Sequence, residues 1–312
     1  MEELNWLKIL ISVIAAIGLF THSLEGFSDT LKSEADSKIK SLLTTLSHSK
    51  IKAFLLGFVA TALIQSSSAV ISIVVSFVDS GVLLFESSLP ILLGSNLGTT
   101  VTAWLVSFQM EALGIILLAL GFIMGYFPEK IKLYSKPVFY MGLILFSLEL
   151  ISMNLTPIKD SPDLVDFLGY ASNPFIGILY GIIITAICQS SSVTVGLTII
   201  LCSQNILGLD SAIGIIVGSN IGTTTTAFIA SLKLGKVAKQ TALANLAFNA
   251  IGVVIYLPFY KLFENLILSI SSNITYQAAL AHLIFNLIIA IVLLPVCHQF
   301  ASLFKPKGEM LP

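Results

Sequence analysis

Four residues, Gln65-Ser66-Ser67-Ser68, interrupt an apolar run and return 124 residues later as Gln189-Ser190-Ser191-Ser192. A second polar run keeps the same offset, Gly94-Ser95-Asn96-Leu97-Gly98-Thr99-Thr100 answering Gly218-Ser219-Asn220-Ile221-Gly222-Thr223-Thr224. Windows 61–70 and 185–194 agree at six of ten positions, and 94–103 and 218–227 at eight of ten. One insertion or deletion between the motifs would have destroyed that register. The chain is therefore an internal duplication whose most alike residues are polar ones in apolar surroundings.

Composition says what those surroundings are. Of 312 residues 56% are hydrophobic and 11% charged, and the mean hydropathy is +0.96, values that belong to polytopic membrane proteins. All sixteen basic residues are Lys, so no guanidinium fork is available to clamp an oxyanion. A net charge of -1 argues against a nucleic-acid partner. Cys188, Cys202 and Cys297 lie in apolar segments at spacings that suit neither disulfides nor zinc and read as buried small hydrophobes. The first apolar run follows Glu2 and Glu3 rather than a basic stretch, and reads as a retained span.

An all-α fold with two repeats follows. The first repeat, 1–127, takes a span at 5–27, a surface segment at 28–50, a hairpin at 51–84, a broken helix at 88–108 and a span at 111–127. The second, 128–260, takes a span at 138–155, a polar loop, a hairpin at 174–204, a broken helix at 211–231 and a span at 240–260. An extra span at 276–298 and a short tail fill 261–312. The hairpins are inferred because Ile51 to Leu84 is too long for one span and carries its polar motif in the middle. Its first arm, 51–64, reaches roughly 20 Å, past the middle of a hydrocarbon core about 30 Å thick. The broken helices are inferred from two glycines and four hydrogen-bonding side chains within each span.

Lysine placement tests this topology. With re-entrant hairpins each repeat crosses an odd number of times, the repeats are inverted, and lysines divide thirteen to three between the two sides. Fully crossing hairpins give ten to six. The positive-inside rule favours the re-entrant arrangement, with the N-terminus outside and the C-terminus in the cytoplasm.

Two hairpin tips meeting near the midplane are what a secondary transporter with a central site requires. The outgoing arm of each begins just after the serines, so free N–H groups and a positive helix end point at the tip. With the hydroxyls of Ser66, Ser67, Ser68, Ser190, Ser191 and Ser192 they can hold a tetrahedral oxyanion without a cationic side chain. Asn96, Thr99, Thr100, Asn220, Thr223 and Thr224 offer oxygens suited to sodium, and Gln65 and Gln189 can serve both. The bland alternative is that a Ser or Thr in a membrane helix bonds its own backbone. Repetition of the whole set in register weighs against it. Glu25 and Glu149 are repeat-equivalent carboxylates for which a structural role is expected over a cation or proton site. A local echo pairs 242–249 with 279–286 at six of eight positions; it predicts a satisfied contact for His282 and helix-tying roles for Asn249 and Asn286.

Paired Gln-Ser-Ser-Ser and Gly-Ser-Asn-x-Gly-Thr-Thr motifs in inverted repeats resemble the type II sodium-dependent phosphate cotransporters, in their compact bacterial form. The resemblance spans about 5–298. It implies symport of sodium and inorganic phosphate by alternating access across a bacterial cytoplasmic membrane, with no organic cofactor and no enzymatic activity. It places phosphate on Gln65 to Ser68 and Gln189 to Ser192. Sodium falls on Gln65, Ser66, Gln189 and Ser190, supported by Asn96, Thr99, Thr100, Asn220, Thr223 and Thr224. Electrogenic animal members carry an aspartate after the first Asn-x-Gly-Thr run; here the nearest carboxylate is Glu111.

Other readings differ in what they require. The same fold carrying another oxyanion, or exporting phosphate, is separated by competition and flux assays. An intramembrane serine hydrolase needs one serine to act alone with a base such as His282 in reach. A channel needs flux that neither saturates nor depends on sodium. A homodimer is left open.

Overall fold

The computed structural model describes residues 2–46, 49–108, 112–159 and 161–304, without the side chains of 2–6 and 32–46. Expectations that fall on Glu111, Asp160, Lys305 and Lys307, or on the side chains of 32–46, lie outside the described residues. The helices of the first copy are α1 (Glu2–Leu46), α2 (Lys50–Ile64), α3 (Ser67–Asp79), α4 (Phe85–Gly98), α5 (Thr100–Ser107) and α6 (Leu113–Met124). After the short α7 (Glu129–Lys132) come α8 (Ser135–Leu155), α9 (Pro162–Gly169), α10 (Pro174–Cys188), α11 (Ser191–Ser203), α12 (Leu209–Ser231) and α13 (Lys236–Tyr256). The chain closes with α14 (Tyr260–Ile270) and α15 (Ile274–Ser302).

Among the described residues six helical stretches are long and apolar enough to cross a bilayer: Leu7–Leu31, Phe85–Ser107, Glu129–Ile158, Leu209–Ser231, Lys236–Ile270 and Ile274–Ser302. The stretches Pro162–Ser172 and Pro174–Cys188 form a further pair bent by 110°. Leu10, Ile14, Ile123, Val254 and Ile291 face outward, as lipid contact demands. The protein is an all-α, multi-pass membrane protein.

Each hairpin is seated on the long helix that follows it through glycine. A Cβ added at Gly94 would run into the Phe54 carbonyl oxygen, and one at Gly57 into that of Ile91, so α2 and α4 touch backbone to backbone. The mates 124 residues on do the same: Gly218 lies against the Ile178 carbonyl and Gly181 against that of Ile215, joining α10 to α12. A Cβ at Gly98 would stand 2.7 Å from Thr61 Cβ, and one at Gly222 2.6 Å from Thr185 Cβ. Small residues at these crossings allow the close approach that packs helices in lipid, where no hydrophobic force drives them together.

Three sequence expectations are corrected by this geometry. The helix over 211–231 is not broken: α12 runs without interruption over 23 residues. Its partner pauses only at Thr99, which keeps right-handed helical angles of φ -61° and ψ -25°. The glycines and hydroxyls counted as helix breakers have other work. The glycines seat the hairpins, while Ser219, Thr223, Thr224, Thr225 and Thr226 each donate to a carbonyl three or four residues back in their own helix. The expected span and most of the expected surface segment, residues 5–46, belong to one continuous 45-residue helix, α1. The span expected at 111–127 contains a helix shorter than expected, α6, of 12 residues and roughly 18 Å.

Candidate functional site

The two Gln-Ser-Ser-Ser segments adopt the same backbone. Each glutamine ends the incoming arm in the left-handed region, Gln65 at φ 58° and ψ 24° and Gln189 at φ 53° and ψ 22°. Each following serine is extended and caps the outgoing arm. Ser66 Oγ accepts from the Ala69 N–H at 3.2 Å, and Ser190 Oγ from the Val193 N–H at 3.4 Å. A left-handed non-glycine residue costs roughly 1–2 kcal/mol, which the sharp reversal of direction requires here. The Gln65 N–H closes the α2 end on the Thr61 carbonyl at 2.7 Å.

Both tips open into one cavity of about 670 Å³ lined by all eight residues of the two motifs. Helix α1 contributes Thr21, Glu25, Ser28 and Asp29, and α12 contributes Thr226. No Lys lines it among the described residues. The N-termini of two 13-residue helices, α3 and α11, therefore face a polar space together with six serine hydroxyls. Such ends bind anions through free N–H groups and the positive end of the helix dipole. Glu25 and Asp29 also line a smaller cavity that they share with Lys136.

The structure thus brings Gln65, Ser66, Ser67, Ser68, Gln189, Ser190, Ser191 and Ser192 together. It does not bring Asn96, Thr99, Thr100, Asn220, Thr223 and Thr224 to the cavity lining. Thr99 and Thr100 donate to the carbonyls of Ser95 and Leu97, Thr223 and Thr224 to those of Ser219 and Ile221, and Asn220 to that of Ile216. Asn96 Nδ2 donates to Asn245 Oδ1 at 3.2 Å.

Two threonines that sequence reasoning passed over connect these long helices to the tips. Thr102 donates to Gln65 Oε1 at 2.8 Å and accepts from Ser192 at 3.4 Å. Its mate Thr226 bonds Ser68 at 3.1 Å, the mate of Ser192. Both threonines lie inside the windows that agree at eight of ten positions, so the register already carried the signal. The two glutamines differ: Gln65 is buried at 7% exposure and bonded, whereas Gln189 is exposed to the cavity and its side chain makes no hydrogen bond among the described residues.

Elsewhere the polar echo behaves differently from expectation. His282 is buried, yet neither ring nitrogen has a hydrogen-bond partner among the described residues. Asn249 and Asn286 do not tie neighbouring helices. Each donates Nδ2 to the carbonyl four residues back in its own helix, Asn245 and His282 respectively. Their Oδ1 atoms have no hydrogen-bond partner among the described residues. His282 is not part of the cavity lining, so no serine there has it as a base. Glu25 and Glu149, expected at structural positions, each line a cavity.

Paired hairpin tips, a polar cavity and duplicated long helices are the arrangement expected of a secondary transporter, and comparison with known proteins supplies the family. The profile of the Na+/Pi-cotransporter family matches residues 19–153 and 163–271, and the chain belongs to that family. It is 36% identical over 255 residues to the uncharacterized protein YqeW of Bacillus subtilis, covering 80% of this chain and 82% of that one. It is 30% identical over 229 residues to the "Putative inorganic phosphate export protein YjbB" of Escherichia coli K12, covering 72% of this chain but 42% of the relative. Against the sodium-dependent phosphate transport protein 2A of Mus musculus it is 34% identical over 137 residues, 41% of this chain and 22% of that protein. No solved structure matches it.

Proposed function

We propose that the protein is a secondary transporter that couples sodium to the movement of inorganic phosphate across a bacterial cytoplasmic membrane, and not an enzyme. The observation that carries this reading is the convergence of both Gln-Ser-Ser-Ser tips on one cavity. Phosphate sits on the serines and the helix ends behind them. Sodium sits at Gln65, Ser66, Gln189 and Ser190, with Asn96, Thr99, Thr100, Asn220, Thr223 and Thr224 behind the hairpins as supporting positions. Coupling follows from the charge of the cavity. Cations that enter with the phosphate dianion offset its repulsion by the Glu25 carboxylate, which lines the same cavity.

The repeats, 1–127 and 128–260, are proposed to be inverted, with the N-terminus outside, as lysine placement argues. Glu25 and Asp29 lie toward the far end of the α1 span, so the cavity then opens to the cytoplasm. Importing a dianion into a negative cell costs about 2.3 kcal/mol per charge per 100 mV. Two sodium ions per divalent phosphate cancel that charge, and little current is expected. A second direction, phosphate export, is favoured by the name of the YjbB relative.

The test is uptake and efflux of labelled phosphate in proteoliposomes, with sodium gradients of either sign. Saturable, sodium-dependent flux lost in Ser66→Ala with Ser190→Ala supports the reading. Phosphate flux indifferent to sodium overturns the coupling, no phosphate flux overturns the cargo, and a robust phosphate-evoked current overturns the stoichiometry.

A further inference from the structure

A second cavity, of about 450 Å³, lies beside α8 and is lined by ten residues, Glu149 and Ser152 among them. Its lining is the first cavity moved by one repeat. The five α1 residues of the first cavity, Thr21, Leu24, Glu25, Ser28 and Asp29, have as mates 124 positions on Leu145, Leu148, Glu149, Ser152 and Met153, and all five line the second. Ile229 and Ala230 of α12 have as mates Leu105 and Val106, which line it as well. Seven of the ten lining residues are thus repeat mates of residues lining the first cavity.

The two cavities differ in depth. The first reaches the serines. The second touches α11 only at Ile200 and Ser203, and Gln204 just past its end, beginning eight residues beyond Ser192, or about 12 Å of helix. Between them α11 is plugged: a Cβ at Gly196 would stand 3.3 Å from the Phe20 ring and 3.7 Å from Val106. The mate of Gly196 is Ser72, which lines the first cavity. Val106 is buried at 4% exposure while its mate Ala230 is exposed. The hydrogen bonds divide in the same sense, because Thr102 holds Gln65 beside the plug while Thr226 leaves Gln189 loose in the open cavity.

We infer that the cavity at Glu149 is the second mouth of the transport path, through which the same oxyanion and cations pass when the two repeats exchange conformations. This inference rests on the proposed transport function. In the exchanged state Thr226 bonds Gln189, Gln65 is released from Thr102, Val106 is uncovered and Ala230 is buried. The mouths are chemically unequal: the first carries Glu25 and Asp29, whereas at the second Met153 stands where the aspartate would be.

The test uses the full chain with Cys188, Cys202 and Cys297 replaced by alanine, and one new cysteine at a time, reconstituted in vesicles of known orientation. A membrane-impermeant maleimide is applied from each face, with sodium alone and with sodium plus inorganic phosphate. Ala230→Cys is expected to label from one face and Val106→Cys from the opposite face, with conditions that slow one speeding the other. Thr102→Val is expected to raise Val106→Cys labelling roughly 2- to 10-fold, the worth of one hydrogen bond. Met153→Cys, at the rim and 63% exposed, should label from the Val106 face in every condition.

Labelling of Val106→Cys from the Ala230 face, or no labelling of it while Ala230→Cys responds to phosphate, overturns the second mouth. So does failure of Met153→Cys to label from its face. If phosphate flux persists in these vesicles without exposure of Val106, the mouth fails and the transport reading stands. Reciprocal labelling driven by sodium without phosphate flux retains the mouth and overturns the cargo.

Discussion

Thr102 donates a 2.8 Å hydrogen bond to Oε1 of Gln65, while the mates of these two residues, Thr226 and Gln189, make no such bond. Two segments with the same motif and the same backbone angles thus sit in different surroundings. Gln65 also donates to the Ala62 carbonyl, so both ends of its amide are engaged. Gln65→Ala is therefore expected to lower stability by about 1 kcal/mol more than Gln189→Ala. Thermal unfolding in detergent measures the difference, and equal losses would refute the asymmetry. Both variants are expected to lose phosphate flux.

The tips depend on their caps. Ser66→Ala and Ser190→Ala each remove the oxygen that accepts from the third residue onward, Ala69 or Val193. Each is expected to destabilise by about 1 kcal/mol and to weaken phosphate uptake. Ser→Asn at either position keeps an oxygen for the cap. Restored thermal stability without restored uptake is the expected result, and it separates the capping role from the binding role.

Glycine at the hairpin seats is a packing requirement. Gly94→Ala and Gly218→Ala would drive a methyl group into the carbonyls of Phe54 and Ile178, which are backbone and cannot rotate aside. Each is expected to cost at least about 2 kcal/mol and to abolish flux by displacing a tip. Gly18→Ala, with nothing within 4 Å of its new methyl, is expected to be neutral or stabilising, since alanine is the better helix former. Unfolding temperatures and flux of the three variants provide the check.

Glu25 lines the open cavity with the serines. Glu25→Gln keeps shape and removes charge, so it is expected to raise the sodium concentration for half-maximal flux severalfold. Unchanged sodium dependence would show that the carboxylate does not attract the cation.

His282 is buried and its two ring nitrogens have no hydrogen-bond partner among the described residues. Replacing an unsatisfied buried polar group by an apolar one of similar size is neutral or stabilising. His282→Leu is expected to keep or raise the unfolding temperature. A loss above about 1 kcal/mol would reveal a partner such as bound water.

The mouths at Glu25 and Glu149 were only partly legible in the sequence. Both carboxylates stood out as repeat mates, yet their sequence neighbourhood, near the ends of spans, favoured a structural role. What makes each line a cavity is the packing around it, which places Ile229 and Ala230 beside one and Leu105 and Val106 beside the other. Thr102 and Thr226 were visible as identical positions but not as partners of the tips. Side-chain pairing across 37 residues has no local signature.

Sequence by itself determined the duplication, the membrane class, the two hairpins and the eight residues at their tips. Such features follow from local chemistry: a polar motif inside an apolar run too long for one span must be sheltered from lipid, and a register kept over 124 residues marks a repeat. Tertiary structure decided the rest. Glycine reads alike as a helix breaker and as a seat for a neighbouring backbone, and only the crossings of α2 with α4 and α10 with α12 reveal the seat. Helix α12 stays whole because its hydroxyls find carbonyls within the helix while its glycines meet α10. The inequality of the two tips was invisible in their identical Gln-Ser-Ser-Ser motifs. It arises because one packed molecule places the tips differently against α5 and α12, closing Gln65 and opening Gln189.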